Sequence, residues 1–294
     1  MSVLLRQLRV VLEMIKFEHT LFALPFALIG MLLAAGGWPS GRVFGWILVA
    51  MVGARSAAMG FNRLADHRID AANPRTATRA LPAGLVSRGF VGLFVLASLA
   101  LLALAAWRLN PLCLQLLPIA VVVLLGYSYA KRFTWLSHLI LGLALAGAPI
   151  GAWAAVAGSL APTPFVLAAA VLTWTAGFDV LYALQDEAFD RARGLFSIPA
   201  RFGTRAALGI SAGLHVATLA LLAALPFVYP GGLGIVYAVG VAGCAALLAW
   251  QHWLVRPGDL SRLDAAFFLA NGLLALWLLA AVAADLLTRG GGLG

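Results

Sequence analysis

The chain is written in long apolar runs separated by short polar breaks. Nine runs, at about residues 20–37, 43–61, 89–107, 112–130, 136–157, 164–182, 207–229, 233–254 and 264–287, each hold about 18 or more residues with few charges. Wound as a helix at about 1.5 Å per residue, such a run approaches or spans the roughly 30 Å hydrocarbon layer of a bilayer. No break between runs is long enough to fold alone. The pattern predicts an all-α integral membrane protein: a bundle of nine transmembrane helices, with residues 1–294 as a single membrane domain. Two breaks are long, from Asn62 to about Arg88 and from Gln185 to about Arg205. The others are short, as packed antiparallel helices require. The tail from Arg289 to Gly294 is Gly-rich and is expected to be flexible.

Composition agrees: 63% of residues are hydrophobic and 11% are charged, which excludes an ordinary soluble domain. The charges also orient the bundle. Sixteen of the twenty Lys and Arg residues fall at the N-terminus or in alternate connections, against Arg42, Arg108 and Arg289 on the other side and Arg55 inside a run. Positive residues stay cytoplasmic, so the N-terminus and both long loops are expected to be cytoplasmic, in the cell's inner membrane, with the C-terminus outside. The first run follows Arg6, Arg9 and Lys16 without a small-residue cleavage site and reads as a retained helix rather than a signal peptide. The net charge of +9 is mostly this topology signal. It also suits anionic lipid headgroups or a diphosphate, and needs no nucleic acid. Cys113 and Cys244 lie in apolar runs without metal spacing and read as inert thiols.

The acidic residues change the picture most. Six of eleven, Asp66, Asp70, Asp179, Asp186, Glu187 and Asp190, gather at the mouths of the two long loops. Asp66 and Asp70 are four apart, as are Asp186 and Asp190; on a helix such pairs share a face about 6 Å apart between Cβ atoms. Running inward, Arg55, Met59 and Asn62 continue the first stripe, and Asp179 and Tyr182 the second. Ionisable groups at bilayer depth are costly and default to a functional reading. Four carboxylates brought together without a cation would repel one another, whereas Mg²⁺ takes few protein carboxylates, several waters and substrate phosphate oxygens. A basic stretch follows each pair, Arg75 to Gly84 and Arg191 to Gly203, which points to two related halves.

At these residues the chain resembles a family. Asn62-x3-Asp66-x3-Asp70, then Arg75-Thr-x2-Arg79-x-Leu-Pro-x-Gly84, Tyr127-x3-Lys131 and Asp179-x2-Tyr182-x3-Asp186-x3-Asp190 are similar in order and spacing to the UbiA superfamily of intramembrane prenyltransferases, over nearly the whole chain. Within it, Phe17 to Pro25 and Ala54 to Arg63 resemble the 4-hydroxybenzoate polyprenyltransferase group and the futalosine-route menaquinone group, which the sequence does not separate. The resemblance implies two long cytoplasmic loops capping the active site. It also implies Mg²⁺-dependent transfer of a polyprenyl group from polyprenyl diphosphate to an aromatic acid, 4-hydroxybenzoate or a hydroxynaphthoate. Many members carry a second Asp directly after the motif Asn; this chain has Arg63 there, and position 63 is left out of the site.

The resemblance also implies roles. Asn62, Asp66, Asp70, Asp186 and Asp190 are the metal candidates, and Arg75, Arg79 and Lys131 the candidates to neutralise diphosphate oxygens. Tyr127 and Tyr182 join the substrate-binding set, with Phe178 and Trp174 as further aromatic faces for a developing cation. Arg55 has two readings, the acceptor's carboxylate or an internal pair with Asp179; Asp179 can instead orient or deprotonate the acceptor hydroxyl. Glu18 and His19 are candidates to read the acceptor. The five histidines, His138 among them, lack metal spacing and read as packing or interfacial residues. A transporter would carry polar residues to the midplane from both sides, and the outward halves here are Ala, Leu, Val and Gly. CDP-alcohol phosphotransferases share Asp-x3-Asp, but their Asp-Gly-x2-Ala-Arg run is missing.

Overall fold

The computed structural model describes residues 3–14, 22–256 and 258–290. Glu18 and His19 lie outside the described residues, as does most of the Gly-rich tail. The order is α1 (Val3–Met14), α2 (Leu24–Ala35), α3 (Gly41–Ala65), α4 (His67–Ala72), α5 (Arg88–Leu109), α6 (Pro111–Ala130), α7 (Ser137–Ala157) and α8 (Pro162–Ala183), then a 3₁₀ turn (Leu184–Asp186) and α9 (Glu187–Ala192). α10 (Ile198–Val228), α11 (Ile235–Leu254), a π-helical segment (Ala265–Ala270) and α12 (Asn271–Thr288) complete it. Eight helices among the described residues are long and apolar enough to cross a membrane. α2, at the first predicted run, shows 12 residues, about 18 Å of helix.

The described chain divides into two compact units, Met1–Thr20 with Gly45–Tyr129, and Leu21–Phe44 with Ala130–Gly294. In the first, Gly53 lets α3 lie against α5, since a Cβ there would meet the Leu102 amide and the Ser98 carbonyl. In the second, α8 is central, packing on α7 and α10, and Gly142 permits α7 to approach the Leu172 carbonyl. Several buried polar side chains there are paired. Trp174 Nε1 donates to Asn271 Oδ1 at 3.0 Å, and Asn271 Nδ2 donates to Phe267 O at 2.8 Å. Asp285 accepts from the amides of Gly234 and Tyr237 and so caps α11. Cys113 and Cys244 are both free thiols.

The long loops differ from the sequence pattern. The second is mostly helical: α9 and the start of α10 leave only residues 193–197 irregular, and α10 breaks once, at Gly203 with φ 81°. The stripes of acids are also not borne on unbroken helices. α3 ends at Ala65 and Asp66 sits at φ −90°, ψ 6° before α4; α8 ends at Ala183, and Asp186 sits at φ −102°, ψ 2° before α9. Both are in the sparsely occupied bridge region of backbone space. The ladder still threads the first bend, because Asp66 N donates to Asn62 O at 2.9 Å and Asp70 N to Asp66 O at 2.7 Å.

Candidate active site

In each unit the bend sorts a carboxylate pair into two kinds. The first Asp of each pair sits at the bend and the second sits one turn on, buried beside a cation. In the first unit Asn62 turns its amide nitrogen to Asp66 Oδ2 at 3.0 Å, while its oxygen faces Arg63 Nη1 at 3.5 Å. Asp70 is 6% exposed; Arg79 Nη1 lies 2.7 Å from its Oδ1 and Arg63 Nη1 lies 3.7 Å from its Oδ2. Thr76 Oγ1 donates to Asp70 O, and Asn73 Oδ1 accepts from Arg75 N, so the loop that carries Arg75 and Arg79 folds back on the acid it follows. Arg75 is exposed and Arg79 half-buried. Arg63, a departure left out of the sequence-level site, is buried inside the cluster and supplies a cation to it.

The second unit repeats the scheme with other partners. Asp186 is buried at the bend and Asp190 is fully buried. Lys131 Nζ lies 2.9 Å from Asp190 Oδ1. Neither Asp190 oxygen meets hydrogen-bond geometry, so the pair is close but poorly directed, and we read it as an ion pair without a hydrogen bond. The segment from Lys131 to His138 then clamps the loop beyond α9. Phe196 N donates to Lys131 O at 2.8 Å, Ser137 Oγ to Phe196 O at 3.4 Å and Ile198 N to His138 Nε2 at 3.2 Å. The other ring nitrogen, His138 Nδ1, lies 2.7 Å from Asp179 Oδ2. His138 is therefore bound to a candidate site residue, which its isolated place in the sequence did not show; its position at the start of α7, just past Lys131, was the available signal.

Two features flank the acids. In the first unit, Arg55 Nε is buried without a hydrogen-bond partner, and the described residues give this guanidinium no ion pair. Tyr127 and Arg63 are its charged or ionisable neighbours. Tyr127 Oη reaches Ala58 O at a long 3.5 Å. In the second unit, Tyr182 lies tilted against Phe267 with centroids 4.2 Å apart, Phe267 meets Phe178 edge-on at 5.3 Å, and Phe178 meets Trp174 at 4.8 Å. The π-helical segment brings Phe267 into this row, a departure from α-helix that recurs at functional sites. Trp174 is fully buried and hydrogen-bonded, hence a core residue rather than an interfacial one.

No three His, Cys, Asp or Glu side chains among the described residues converge as a ready-made metal site. The donor set nevertheless fits Mg²⁺, which is held by one or two carboxylates while waters and substrate phosphates fill the rest. Asp70 Oδ2 and both Asp190 oxygens are buried without a hydrogen bond, a cost of roughly 1–3 kcal/mol each that a further donor or cation would remove.

The model of the UbiA prenyltransferase family matches residues 23–283. The 4-hydroxybenzoate octaprenyltransferase of Vibrio cholerae serotype O1 is 37% identical over 229 residues, 77% of this chain and 78% of its own. That of Tolumonas auensis is 32% identical over 268 residues, 90% and 91% of the two chains. Among solved structures, the apo form of a UbiA homolog from Aeropyrum pernix K1 superposes with a TM-score of 0.83 at 35% identity, over 91% of this chain and 98% of that one. A UbiA homolog from Archaeoglobus fulgidus bound to GPP and Mg²⁺ shares the fold, with a TM-score of 0.71 at 20% identity over 93% and 99% of the chains.

Proposed function

The chain belongs to the UbiA prenyltransferase family, and on that premise we propose that it moves a polyprenyl group from its diphosphate to a ring carbon of a hydroxylated aromatic carboxylate such as 4-hydroxybenzoate or a hydroxynaphthoate. It is a multi-pass membrane prenyltransferase. The observation that carries the acceptor reading is Arg55, a guanidinium in a membrane helix with a buried, unpartnered Nε and no anion among the described residues. A cation so placed suits an anionic ligand, and a planar carboxylate matches its fork. The names of the octaprenyltransferase relatives support the same acceptor class.

Both acidic clusters act on one diphosphate in this reading. Asn62, Asp66, Asp186 and Asp190 are the residues to hold Mg²⁺, which when bound supplies positive charge against the diphosphate. Arg75, Arg79 and Lys131 neutralise further oxygens as negative charge develops on the leaving group. Asp70, held between Arg79 and Arg63, fixes the direction of the Arg79 guanidinium. The C–O bond to the allylic carbon breaks with its electron pair leaving on the diphosphate. The acceptor ring carbon forms the new C–C bond and loses its proton. Phe178, Tyr182 and Phe267 offer ring faces to the positive charge in between. The apolar helices exclude the water that would quench it. The excess of Lys and Arg at the N-terminus and beside both clusters supports a cytoplasmic active site in the inner membrane.

The test is an acceptor panel. Purified protein with Mg²⁺ and polyprenyl diphosphates of several lengths is given hydroxylated aromatic acids, their methyl esters and their deoxy analogues, and products are read by mass spectrometry. The reading expects prenylation of the free hydroxy acids and little of the esters. Equal prenylation of acid and ester would overturn the carboxylate assignment.

A further inference from the structure

Asp179 lies on α8 seven residues before Asp186, roughly 10 Å along the helix. Its side chain keeps 25% of its surface exposed, while His138, bonded to it at 2.7 Å, keeps 3%. Among the described residues, Asp179 makes no other polar side-chain contact, so Oδ2 is held and Oδ1 is left to an outside partner. The imidazole is fixed from its far side. Ile198 opens α10, and its amide is one of the helix N-terminal donors without an intrahelical partner. An amide N–H only donates, so Nε2 accepts and Nδ1 carries the ring proton toward Asp179. Ser197 caps the same helix end by accepting from Ala200 N, and Phe196 is tied to Lys131 O and Ser137. One buried imidazole thus joins a partly exposed acid in a membrane helix to the loop that follows the second carboxylate cluster.

The geometry points to His138 as a positioning residue that aims Asp179 at the ring hydroxyl of the acceptor and makes that aim depend on the seating of the loop before α10. The inference rests on the proposed transfer to a hydroxylated aromatic acid. As the ring carbon attacks the allylic carbon, the acceptor O–H bond breaks and its proton passes to Asp179 Oδ1. When the ring carbon releases its own proton to solvent, the Asp179 proton returns to the oxygen. The balance is one ring proton lost, one C–C bond gained and one diphosphate released. His138 keeps its proton on Nδ1 throughout. Its part is to hold the carboxylate still, and an amide of the right length can do the same.

The experiment compares wild type, His138→Gln, His138→Phe, Asp179→Asn and the His138→Phe/Asp179→Asn pair, each with kcat and both KM values and a thermal-unfolding control. Wild type is assayed first. Absence of transfer to every hydroxylated acid would overturn the proposed function itself, a result no His138 variant can produce. Given activity, His138→Phe should lower kcat roughly tenfold or more and leave the KM of the prenyl diphosphate unchanged. His138→Gln, which can donate to Asp179 and accept from Ile198, should restore most of it. In the Asp179→Asn background the Phe substitution should cost nothing further, because the two residues act as one unit. A wild-type kcat in His138→Phe, a Gln variant no better than Phe, or multiplicative losses in the pair would each overturn the inference. If the Phe protein does not fold, the Gln variant decides alone: near wild type supports the role, and a kcat at the Asp179→Asn level removes it.

Discussion

Lys131→Met should destabilise the protein through Asp190 and not through its own lost contacts. Asp190 is fully buried and Lys131 is the cation beside it, 2.9 Å away, with no hydrogen bond to either oxygen. Breaking a buried pair by removing one partner costs about 3–5 kcal/mol, because the remaining charge has neither water nor counterion. Lys131 is 35% exposed, so water already screens part of the pair, and about 2 kcal/mol is the expected loss. At about 2–4 °C per kcal/mol, the unfolding midpoint in detergent should fall by about 4–8 °C. The control is Asp190→Asn. In that background the buried charge is gone, and Lys131→Met should shift the midpoint by less than about 2 °C. Millimolar Mg²⁺ should return more of the lost stability to Lys131→Met than to the double variant, since only the former keeps the Asp190 carboxylate for a cation to meet. Equal shifts in the two backgrounds would refute the electrostatic account and leave only side-chain packing.

Further outcomes follow from other residues. Arg55→Lys should raise the acceptor KM by about tenfold or more and change the prenyl diphosphate KM little, since an ammonium cannot reproduce the planar two-point contact; equal damage to both substrates would remove Arg55 from the acceptor site. Asn271→Leu should lower stability by about 1–3 kcal/mol, because Trp174 Nε1 would be left without an acceptor in a fully buried position; an unchanged unfolding midpoint would contradict that. Cysteines placed at the exposed loop positions by Thr78→Cys and Arg193→Cys should resist impermeant thiol reagents added outside intact cells; rapid labelling would reverse the orientation.

Much of the fold was legible because the bilayer permits so few solutions. A lipid-facing backbone must satisfy its own hydrogen bonds, so a long apolar run is a helix with little else to weigh. The 164–182 run lies within α8 with one or two residues to spare at each end. The acids were legible too, since charge is rare in this chain and costly at that depth. The bends at Asp66 and Asp186 were not, because Leu-Ala-Asp-His-Arg and Leu-Gln-Asp-Glu-Ala carry no proline or glycine and read as uninterrupted helix. The partner of Asp179 was hidden for a different reason. His138 lies 41 residues away and in a different helix, and a pairing across helices leaves no mark on the spacing of either residue. Likewise Arg63 read as a gap in the motif until its contact with Asp70 placed it among the charges.

The central claim is that both acidic clusters serve one diphosphate. It is tested most directly by measuring equilibrium binding of a non-reactive polyprenyl thiodiphosphate to the wild-type protein, Asp66→Ala and Asp186→Ala, each with Mg²⁺ and with EDTA. The account predicts one ligand per chain in the presence of Mg²⁺. It predicts at least tenfold weaker binding in each single variant and in EDTA, since each loss removes charge stabilisation worth more than about 1.4 kcal/mol. Wild-type affinity in either variant, or binding indifferent to EDTA, would contradict it.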